Sequence, residues 1–220
     1  MTENIILKCS VADILPLESA LSYLKIDESS DLADDIKALL DDAYKIGRPC
    51  AIYRECYVDS IKGDNVTIDG VVFTGSLITE KLDGIHRVFP YIASCGPELA
   101  EWAESLKDSL ENFYANTFNQ YVVGFINRFL IESITDFSGI RKFAALNPGS
   151  LPAWPIKQQQ PLFELLGNVK KDIGVVLTSS YLMLPIKSTS GILFPSSVEW
   201  FNCMRCRRRD CPGRQAEFIE

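Results

Sequence analysis

The chain has 220 residues, a net charge of −7 at pH 7 and 47% apolar residues, enough to bury one large core or two closely packed ones. The negative charge argues against general binding to nucleic acids or anionic membranes, because phosphate-rich surfaces are held by an excess of Lys and Arg. Glu3 precedes the first apolar run, unlike in a signal peptide, and no apolar run is long enough to span a bilayer. We therefore expect a cytoplasmic protein.

Two helices are predicted near the N-terminus. Ser10 is a suitable cap for apolar residues that recur at spacings of three and four through Leu24. Ser30 is a suitable cap for a second apolar stripe that continues to Ile46, and Gly47 then offers a left-handed helix end. We expect both helices to be amphipathic, with their acidic faces toward solvent.

A sheet is predicted from Cys50 onward, where the apolar period approaches two. Three short segments, AIYRECYVDSI, NVTID and VVFTG, are separated by KGDN and by Gly70, as in a β-meander. SLITEKL is predicted as a short helix and HRVFPYIASC as a buried strand. Pro97 then suits the first turn of another helix.

Core helices, a strap and a final hairpin are predicted in the second half. Apolar residues keep helical spacing from Leu99 to Ile134, and we expect a break near NFYANTF, because one helix over that span would be unusually long. The segment from Asn147 to Gly167 is a proline-rich strap with Trp154 as its anchor, ending in a short helix, QQPLFELL. Two strands, GVVLTSSYLML and GILFP, leave KSTSG as an exposed loop between them. Since strands and helices do not alternate, we predict an α+β fold with a mixed or antiparallel sheet packed with helices.

The strap and the KSTSG segment are the candidate ligand-binding segments. Stiff backbone around Gly149 suits close approach of a ligand to N–H and C=O groups, and a loop such as KSTSG can hold an anion. Both segments also have simpler interpretations, as a packed connection and an ordinary polar turn. The candidate residues are Asn147, Pro148, Gly149, Ser150, Lys187, Ser188 and Gly191.

No catalytic signature is present. The chain has no nucleophile-elbow, phosphate-loop or dinucleotide-binding motif. Its single histidine, His86, has no nucleophile near it in sequence, and we interpret it as a structural residue. Hydrolase, kinase and dehydrogenase chemistry therefore has no support, and no catalytic residue is predicted.

The seven cysteines fall into two groups. Those that lie singly among apolar residues are predicted to pack as small hydrophobes: Cys9, Cys50, Cys56 and Cys95. The others follow a C-x2-C-x4-C pattern: Cys203, Cys206 and Cys211. In a reducing compartment such a pattern indicates metal ligands rather than disulfides.

The C-x2-C-x4-C pattern lies in a Cys/Arg-rich tail, residues 201–220, after a predicted domain over residues 1–200. C-x2-C is a spacing at which two thiolates can hold one zinc ion or one iron–sulfur cluster, and the nearby arginines favour thiolates. Three ligands are one short of four, so another cysteine, another chain or an exogenous ligand would complete the site. A reduced, mobile tail is the alternative.

Three segments carry a resemblance to a known family: NPGSLPAWPIKQQQPLFELL, LTSSYLMLPIKSTSGILF and, more weakly, YIASCGPELAEWAE. In this order they resemble the reactivation (activation) domain of cobalamin-dependent methionine synthase, and more closely its stand-alone relatives in anaerobic bacteria. The resemblance covers nearly the whole chain and implies a single α+β unit. Such domains cap a corrinoid-bearing partner whose cobalt has been oxidised. They bind S-adenosylmethionine, whose methyl group is transferred to the cobalt while an external donor supplies one electron.

The resemblance implies an accessory component of corrinoid-dependent methyl transfer rather than a complete enzyme. Its partners would be a corrinoid-binding methionine synthase or methyltransferase subunit and an electron donor. The chain lacks the Asp-x-His-x-x-Gly motif of corrinoid carriers, since Asp83 and His86 are wrongly spaced, so cobalamin would be held by the partner. The alternative is a metal- or iron–sulfur-binding module for electron transfer or assembly, which keeps the fold without S-adenosylmethionine chemistry.

The family's ligand contacts map onto this sequence only in part. Two aromatic contacts after the last hairpin correspond approximately to Trp200 and Phe201. The arginine four residues before the strap glycine is Ala145 here, and the tyrosine just after that glycine is Ser150. These two departures predict weak or absent binding of S-adenosylmethionine by the isolated protein. Arg141 lies one helical turn before Ala145 and would compensate if the preceding core helix continued to Leu146.

Overall fold

The computed structural model describes residues 3–211 and 213–219. The helices are α1 (Val11–Ile14), α2 (Leu17–Leu24), α3 (Asp31–Ile46), α4 (Ser76–Leu82), α5 (Pro97–Ser105), α6 (Ser109–Ser138), α7 (Gln159–Leu166) and α8 (Val169–Ile173). The strands are β1 (Ile5–Lys8), β2 (Cys50–Tyr53), β3 (Cys56–Lys62), β4 (Asn65–Ile68), β5 (Val71–Thr74), β6 (Arg87–Ser94), β7 (Phe143–Leu146), β8 (Val176–Leu177), β9 (Met183–Leu184) and β10 (Ser188–Pro195). No helix in the described residues is both long and apolar enough to cross a membrane.

The central strand of the main sheet is β6, which pairs along both of its edges. Residues 188–193 of β10 pair with one edge, while β2 and then β3 follow one another along the other. The sheet continues beyond β2 with β1, beyond β3 with β4 and β5, and beyond β10 with β7. Every pair described is antiparallel, which confirms the predicted α+β fold.

Side chains alternate across β6 and so separate two cores. Phe89 and Tyr91 pack in one core with the apolar side of α6. Val88 and Ile92 pack in the other core with residues of α4, α7 and α8. Helices α1–α3 form a third core with α5 and the first half of α6. The sheet is therefore covered by α6 on one face and by three shorter helices on the other.

The N-terminal helices begin at the predicted caps but end differently. The Ser10 and Ser30 hydroxyls each accept a hydrogen bond from the backbone N–H two residues later. The first predicted helix is divided into α1 and α2, because Pro16 fixes its own φ and restricts the residue before it. The predicted left-handed end at Gly47 is wrong, since its φ is −65°. Gly47 instead allows close packing, because a Cβ there would lie 2.3 Å from Val11 Cγ2.

The helix α6 is continuous over Ser109–Ser138, so the break predicted near NFYANTF is wrong. The interruption comes earlier, where the Asp108 carboxylate accepts hydrogen bonds at 2.8 and 3.0 Å from the backbone N–H groups two and three residues later. The helix ends at Gly139, which has a φ of 72°. It therefore does not continue past Arg141, and the chain forms the strand β7 instead.

The KSTSG segment is not an exposed loop, contrary to the sequence prediction. Four of its residues begin β10, and Ser190 and Gly191 are buried between β6 and β7. The prediction failed because the polar side chains are paired inside the fold. The Ser190 hydroxyl is hydrogen-bonded to the Gln159 side-chain amide at 2.7–2.9 Å.

We predict that Gly191→Ala lowers the free energy of unfolding by about 1–3 kcal/mol, the usual cost of overpacking. A Cβ there would lie 2.4 Å from Leu146 O and 2.7 Å from Asn147 Nδ2. Gly124→Ala in α6 is the matched control, because a Cβ there meets nothing within 4 Å, and it should stabilise by about 0.5–1 kcal/mol. Urea unfolding followed by circular dichroism measures both. A Gly191→Ala protein as stable as the wild type would contradict this interpretation.

Candidate functional site

A cavity of about 1070 Å³ lies beside β7, at one edge of the main sheet. The sheet contributes Tyr91 from β6 and Thr189 from β10, and residues 196–201 and Gln215 close the cavity from the C-terminal side. The helix α6 contributes Asn127, Arg128 and Ile131. The volume lies just above the usual range for small-molecule sites, roughly 300–1,000 Å³.

The segment that enters and forms β7 lines the cavity mainly with every second residue. These residues are Arg141, Phe143, Ala145 and Asn147, and Lys142 also belongs to the lining. The alternate residues Ala144 and Leu146 are buried in the core on the other face of the sheet, as strand geometry requires. Arg141 therefore lines the same cavity as Ala145 although the helical turn that the sequence suggested is absent there.

Asn147 connects three parts of the cavity. Its Nδ2 donates hydrogen bonds to the Tyr91 hydroxyl at 3.0 Å and to Ser190 O at 2.7 Å. Its Oδ1 accepts one from Asn202 Nδ2 at 2.7 Å. Burial raises the pKa of Tyr91 above its ordinary value, although hydrogen bonds from Asn147 and Thr189 oppose this shift. The strap, the central strand and the C-terminal tail thus meet at one amide.

The charged and unpaired groups around the cavity suit a polar ligand. Three exposed cations line it, and none forms an ion pair among the described residues: Arg128, Arg141 and Lys142. Glu199 is the single acidic residue among the lining residues described. Trp200 Nε1 and Asn127 Oδ1 are buried without a hydrogen-bond partner. The wall therefore offers both signs of charge, a free donor and a free acceptor.

Trp200 is held against α4 by cations. Lys81 Nζ lies 3.8 Å from the centre of its ring, and the Arg205 guanidinium carbon lies at 5.8 Å. Glu80 Oε1 bridges the two cations at 3.0 and 3.1 Å. The hydrogen bond from Lys81 and the two positive charges hold the pKa of Glu80 below its ordinary value. This arrangement orders the start of the tail beside the cavity.

The predicted site residues divide into two sets. Those that line the cavity are Asn147, Ser150, Trp200 and Phe201. Those outside its lining are Pro148, Gly149, Lys187, Ser188 and Gly191. Gly149 N donates to Trp154 O at 2.9 Å, and the Ser188 hydroxyl donates to Pro185 O at 2.7 Å. These groups support the backbone and do not present free donors to a ligand.

Several lining residues were not found from the sequence: Tyr91, Asn127, Arg128, Thr189 and Glu199. Two of them carried a signal. Asn127 is a polar residue inside the apolar stripe of a core helix, and Tyr91 places a hydroxyl in a buried strand. A buried polar group needs a partner, so both positions indicate a polar site nearby.

The tail is folded around the guanidinium of Arg214. Its Nη1 and Nη2 donate to four backbone oxygens at 2.6–3.0 Å: those of Cys203, Cys206, Arg208 and Ala216. We refer to these four hydrogen bonds as the Arg214 clamp. Gln215 N also donates to Cys203 Sγ at 3.5 Å. Irregular backbone is thus satisfied by a side chain in place of a helix or a sheet.

The two groups of cysteines differ in environment. Burial raises the pKa of Cys50, Cys56 and Cys95 to about 12, and that of Cys9 to about 11. The three tail cysteines are partly exposed. Among the residues described, no three His, Cys, Asp or Glu side chains are placed to hold a metal ion. The predicted thiolate site is therefore not assembled in this arrangement of the tail.

Comparison with protein families and solved structures gives two findings. Residues 127–213 match the family model of the “Vitamin B12 dependent methionine synthase, activation domain”. This match includes both of the longer motifs and most of the cavity lining. No curated protein matches the chain in sequence.

The fold is similar to that of a solved structure described as “Crystal Structure of the MetH Reactivation Domain bound to AdoHcy”. The TM-score is 0.68 at 18% identity, and the match covers 90% of this chain and 81% of that chain. At this identity the likeness concerns the fold. Together, the family match and the shared fold confirm the resemblance inferred from the sequence motifs.

We predict that thiol labelling at about pH 8 separates the two groups of cysteines, because a buried thiol with a raised pKa holds almost no thiolate. Three equivalents, those of the tail, should react rapidly in the native protein. Cys9, which is partly exposed but has a raised pKa, should react more slowly, and the three buried thiols should react only after denaturant is added. Replacing Cys203, Cys206 and Cys211 together with Ser is the control and should remove the rapid phase. Rapid native-state labelling of Cys50 or Cys95, identified by mass spectrometry, is the result that would refute this assignment.

Proposed function

We propose that the chain is an S-adenosylmethionine-binding accessory component of corrinoid-dependent methyl transfer. One observation carries the proposal. Five positions at which the resemblance places the ligand or its strap line a single cavity: Ala145, Asn147, Ser150, Trp200 and Phe201. β7 and the strap are contiguous, but Trp200 and Phe201 lie far from them in sequence, so the convergence of the two parts is a property of the fold.

The chemistry of the cavity wall fits the parts of S-adenosylmethionine. The α-carboxylate is an anion that Arg128, Arg141 or Lys142 can pair with. The ammonium and sulfonium groups are cations for which Glu199 and the face of Phe201 are suitable partners. The adenine base offers acceptors for an unpaired donor such as Trp200 Nε1. Each group of the ligand thus has a complementary group in the lining.

In the proposed reaction, cob(II)alamin on the partner accepts one electron from the external donor and the methyl group of the sulfonium. The products are methylcob(III)alamin and S-adenosylhomocysteine. The chain's own residues would bind and orient the sulfonium donor at the edge of the sheet. Asp83 and His86 are both exposed and lie outside the cavity lining, which supports a corrinoid supplied by the partner.

The affinity for the ligand depends on which cation replaces the missing strap arginine. The predicted rescue by Arg141 does not operate through a helical turn, because α6 ends before it. Arg141 nevertheless lines the cavity four residues before Ala145, just ahead of the start of β7. We therefore infer that Arg141 supplies the ligand's carboxylate with its charge partner. Its exposure keeps this contribution at the low end of the range for charged hydrogen bonds.

We predict that Arg141→Ala weakens binding of S-adenosylhomocysteine by about tenfold, the equivalent of about 1.4 kcal/mol. Isothermal titration calorimetry measures the change. Arg207→Ala is the matched control, because Arg207 is an exposed arginine outside this cavity. Affinity in the low micromolar range that is unchanged by Arg141→Ala would contradict this role of Arg141.

We also predict that the protein forms a complex with a corrinoid-loaded methyltransferase subunit when the cobalt is oxidised to Co(II). Gel filtration of the mixture, with the corrinoid absorbance as the tracer, measures the association. The same subunit with methylated cobalt is the control and should bind less. Absence of a complex in both cobalt states would remove this function and favour the electron-transfer or assembly module.

A further inference from the structure

We propose that Asn202 is a positioning residue for the ligand, although it lies outside the lining of the cavity. Through one hydrogen bond to Asn147 it holds the tail wall, which we define as residues 196–201, in place at the cavity. The part of this proposal that concerns ligand binding rests on the proposed function. The part that concerns the position of the wall is independent of it.

The orientation of the Asn147 amide is set by the sheet. Ser190 O is a carbonyl oxygen, which accepts hydrogen bonds and cannot donate them. The Asn147 atom 2.7 Å from it is therefore the nitrogen, which also donates to the Tyr91 hydroxyl at 3.0 Å. Both amide hydrogens are thus used within the fold. Asn147 Oδ1 is left as an acceptor on the side of the tail.

This orientation in turn sets that of the Asn202 amide. An acceptor on Asn147 needs a donor on the tail, and Asn202 Nδ2 supplies it at 2.7 Å. A reversed Asn202 amide would place two acceptor oxygens against each other. The two side chains, 55 residues apart in the chain, therefore fit in one combination. The contact depends on the chemistry of the side chain at position 202 as well as on its size.

The tail wall is tied to both ends of β7. At its start, Ser196 N donates to the carbonyl oxygen of Lys142, which directly precedes β7, at 3.2 Å. Just after its end, Asn202 reaches Asn147, which directly follows β7. Within the wall, the Ser196 hydroxyl donates to Val198 O at 2.6 Å and accepts from Val198 N at 3.3 Å. These inner bonds are local, so the bond to Asn147 is what ties the second end of the wall to the strap.

The second end of the wall carries the aromatic part of the cavity. Trp200 and Phe201 directly precede Asn202, and both line the cavity. Lys81 contacts the Trp200 ring from α4, with its Nζ 3.8 Å from the ring centre, whereas Asn202 connects the same stretch of chain to the sheet. A ligand binds more tightly when the side chains that it contacts are already held in place. Without the bond from Asn202, the ligand itself has to order this end of the wall.

Calorimetry with S-adenosylhomocysteine tests the role of Asn202 in ligand binding. We expect Asn202→Ala to bind about fivefold more weakly than the wild type, which corresponds to the loss of one neutral hydrogen bond. Asn202→Asp keeps the size of the side chain but, when ionised, has no hydrogen to donate, so it should bind at least as weakly. The matched control is Asn168→Ala, which should bind as the wild type does. Asn168 is an exposed asparagine outside the cavity lining, and its side chain forms no cap hydrogen bond.

A double-mutant cycle separates this role from a general effect on the tail. Asn147→Ala removes the acceptor, so adding Asn202→Ala to it should weaken binding little further. Additive losses in the cycle would overturn action through Asn147. Wild-type affinity in Asn202→Asp would overturn the role of the hydrogen bond, because that variant preserves the volume of the side chain.

Acrylamide quenching of Trp200 fluorescence tests the position of the wall without any ligand. The contribution of Trp200 is the difference between each protein and its own Trp200→Phe variant. We expect quenching about twofold faster in Asn202→Ala than in the wild type, because local opening of the wall exposes the ring, and no change in Asn168→Ala. Equal quenching in Asn202→Ala and the wild type would overturn the positioning of the wall. If the wild type fails to bind S-adenosylhomocysteine, the proposed function fails instead, and the quenching result alone decides whether Asn202 positions the wall.

Discussion

The pairing of β10 with β6 is the contact on which the cavity depends. It places Gly191 opposite Tyr91, and because Gly191 has no side chain, the end of β7 can approach the pair closely. Asn147 then reaches both the Tyr91 hydroxyl and Ser190 O. A backbone ladder in the interior of the sheet thus determines where a polar cavity forms at its edge.

The elements predicted correctly from the sequence are those whose local residue pattern agrees with the way they pack in the fold. The meander, the helix that begins at Pro97 and the strap that buries Trp154 all have strong punctuation by Gly or Pro and clear apolar periods. The strands β1 and β7 were missed, whereas the equally short β4 and β5 were found because they belong to a run of alternating segments separated by KGDN and Gly70. The KSTSG segment failed for a different reason: its partners, Gln159 among them, lie far away in sequence.

The cavity-lining residues that lie on the motifs quoted from the sequence could be predicted, whereas those contributed by other elements could not. Asn147, Ser150, Trp200 and Phe201 follow from the resemblance, and all four line the cavity. The contribution of α6 depends on which side of a 30-residue helix faces the sheet, and although Asn127 interrupts the apolar stripe, periodicity alone does not show that it lines a cavity. The position of Arg141 depended on whether the chain continues as a helix after Ser138. Gly139 ends α6 there, so Arg141 lies outside the helix.

The walls of the cavity are stabilised by different kinds of contact, and this difference identifies the wall that can move. The sheet and α6 are fixed by fully buried side chains such as Phe89 and Leu130, whose exposure would cost several kcal/mol. The tail wall is fixed by cation–π contacts with Trp200, by hydrogen bonds from one guanidinium and by the packing of Trp200 and Cys206 against the core. Most of these contacts are polar and lie near solvent, where they exchange readily with water and contribute little net free energy. Local opening of the tail therefore requires less free energy than opening of the sheet, so the tail is the wall of the cavity that can open first.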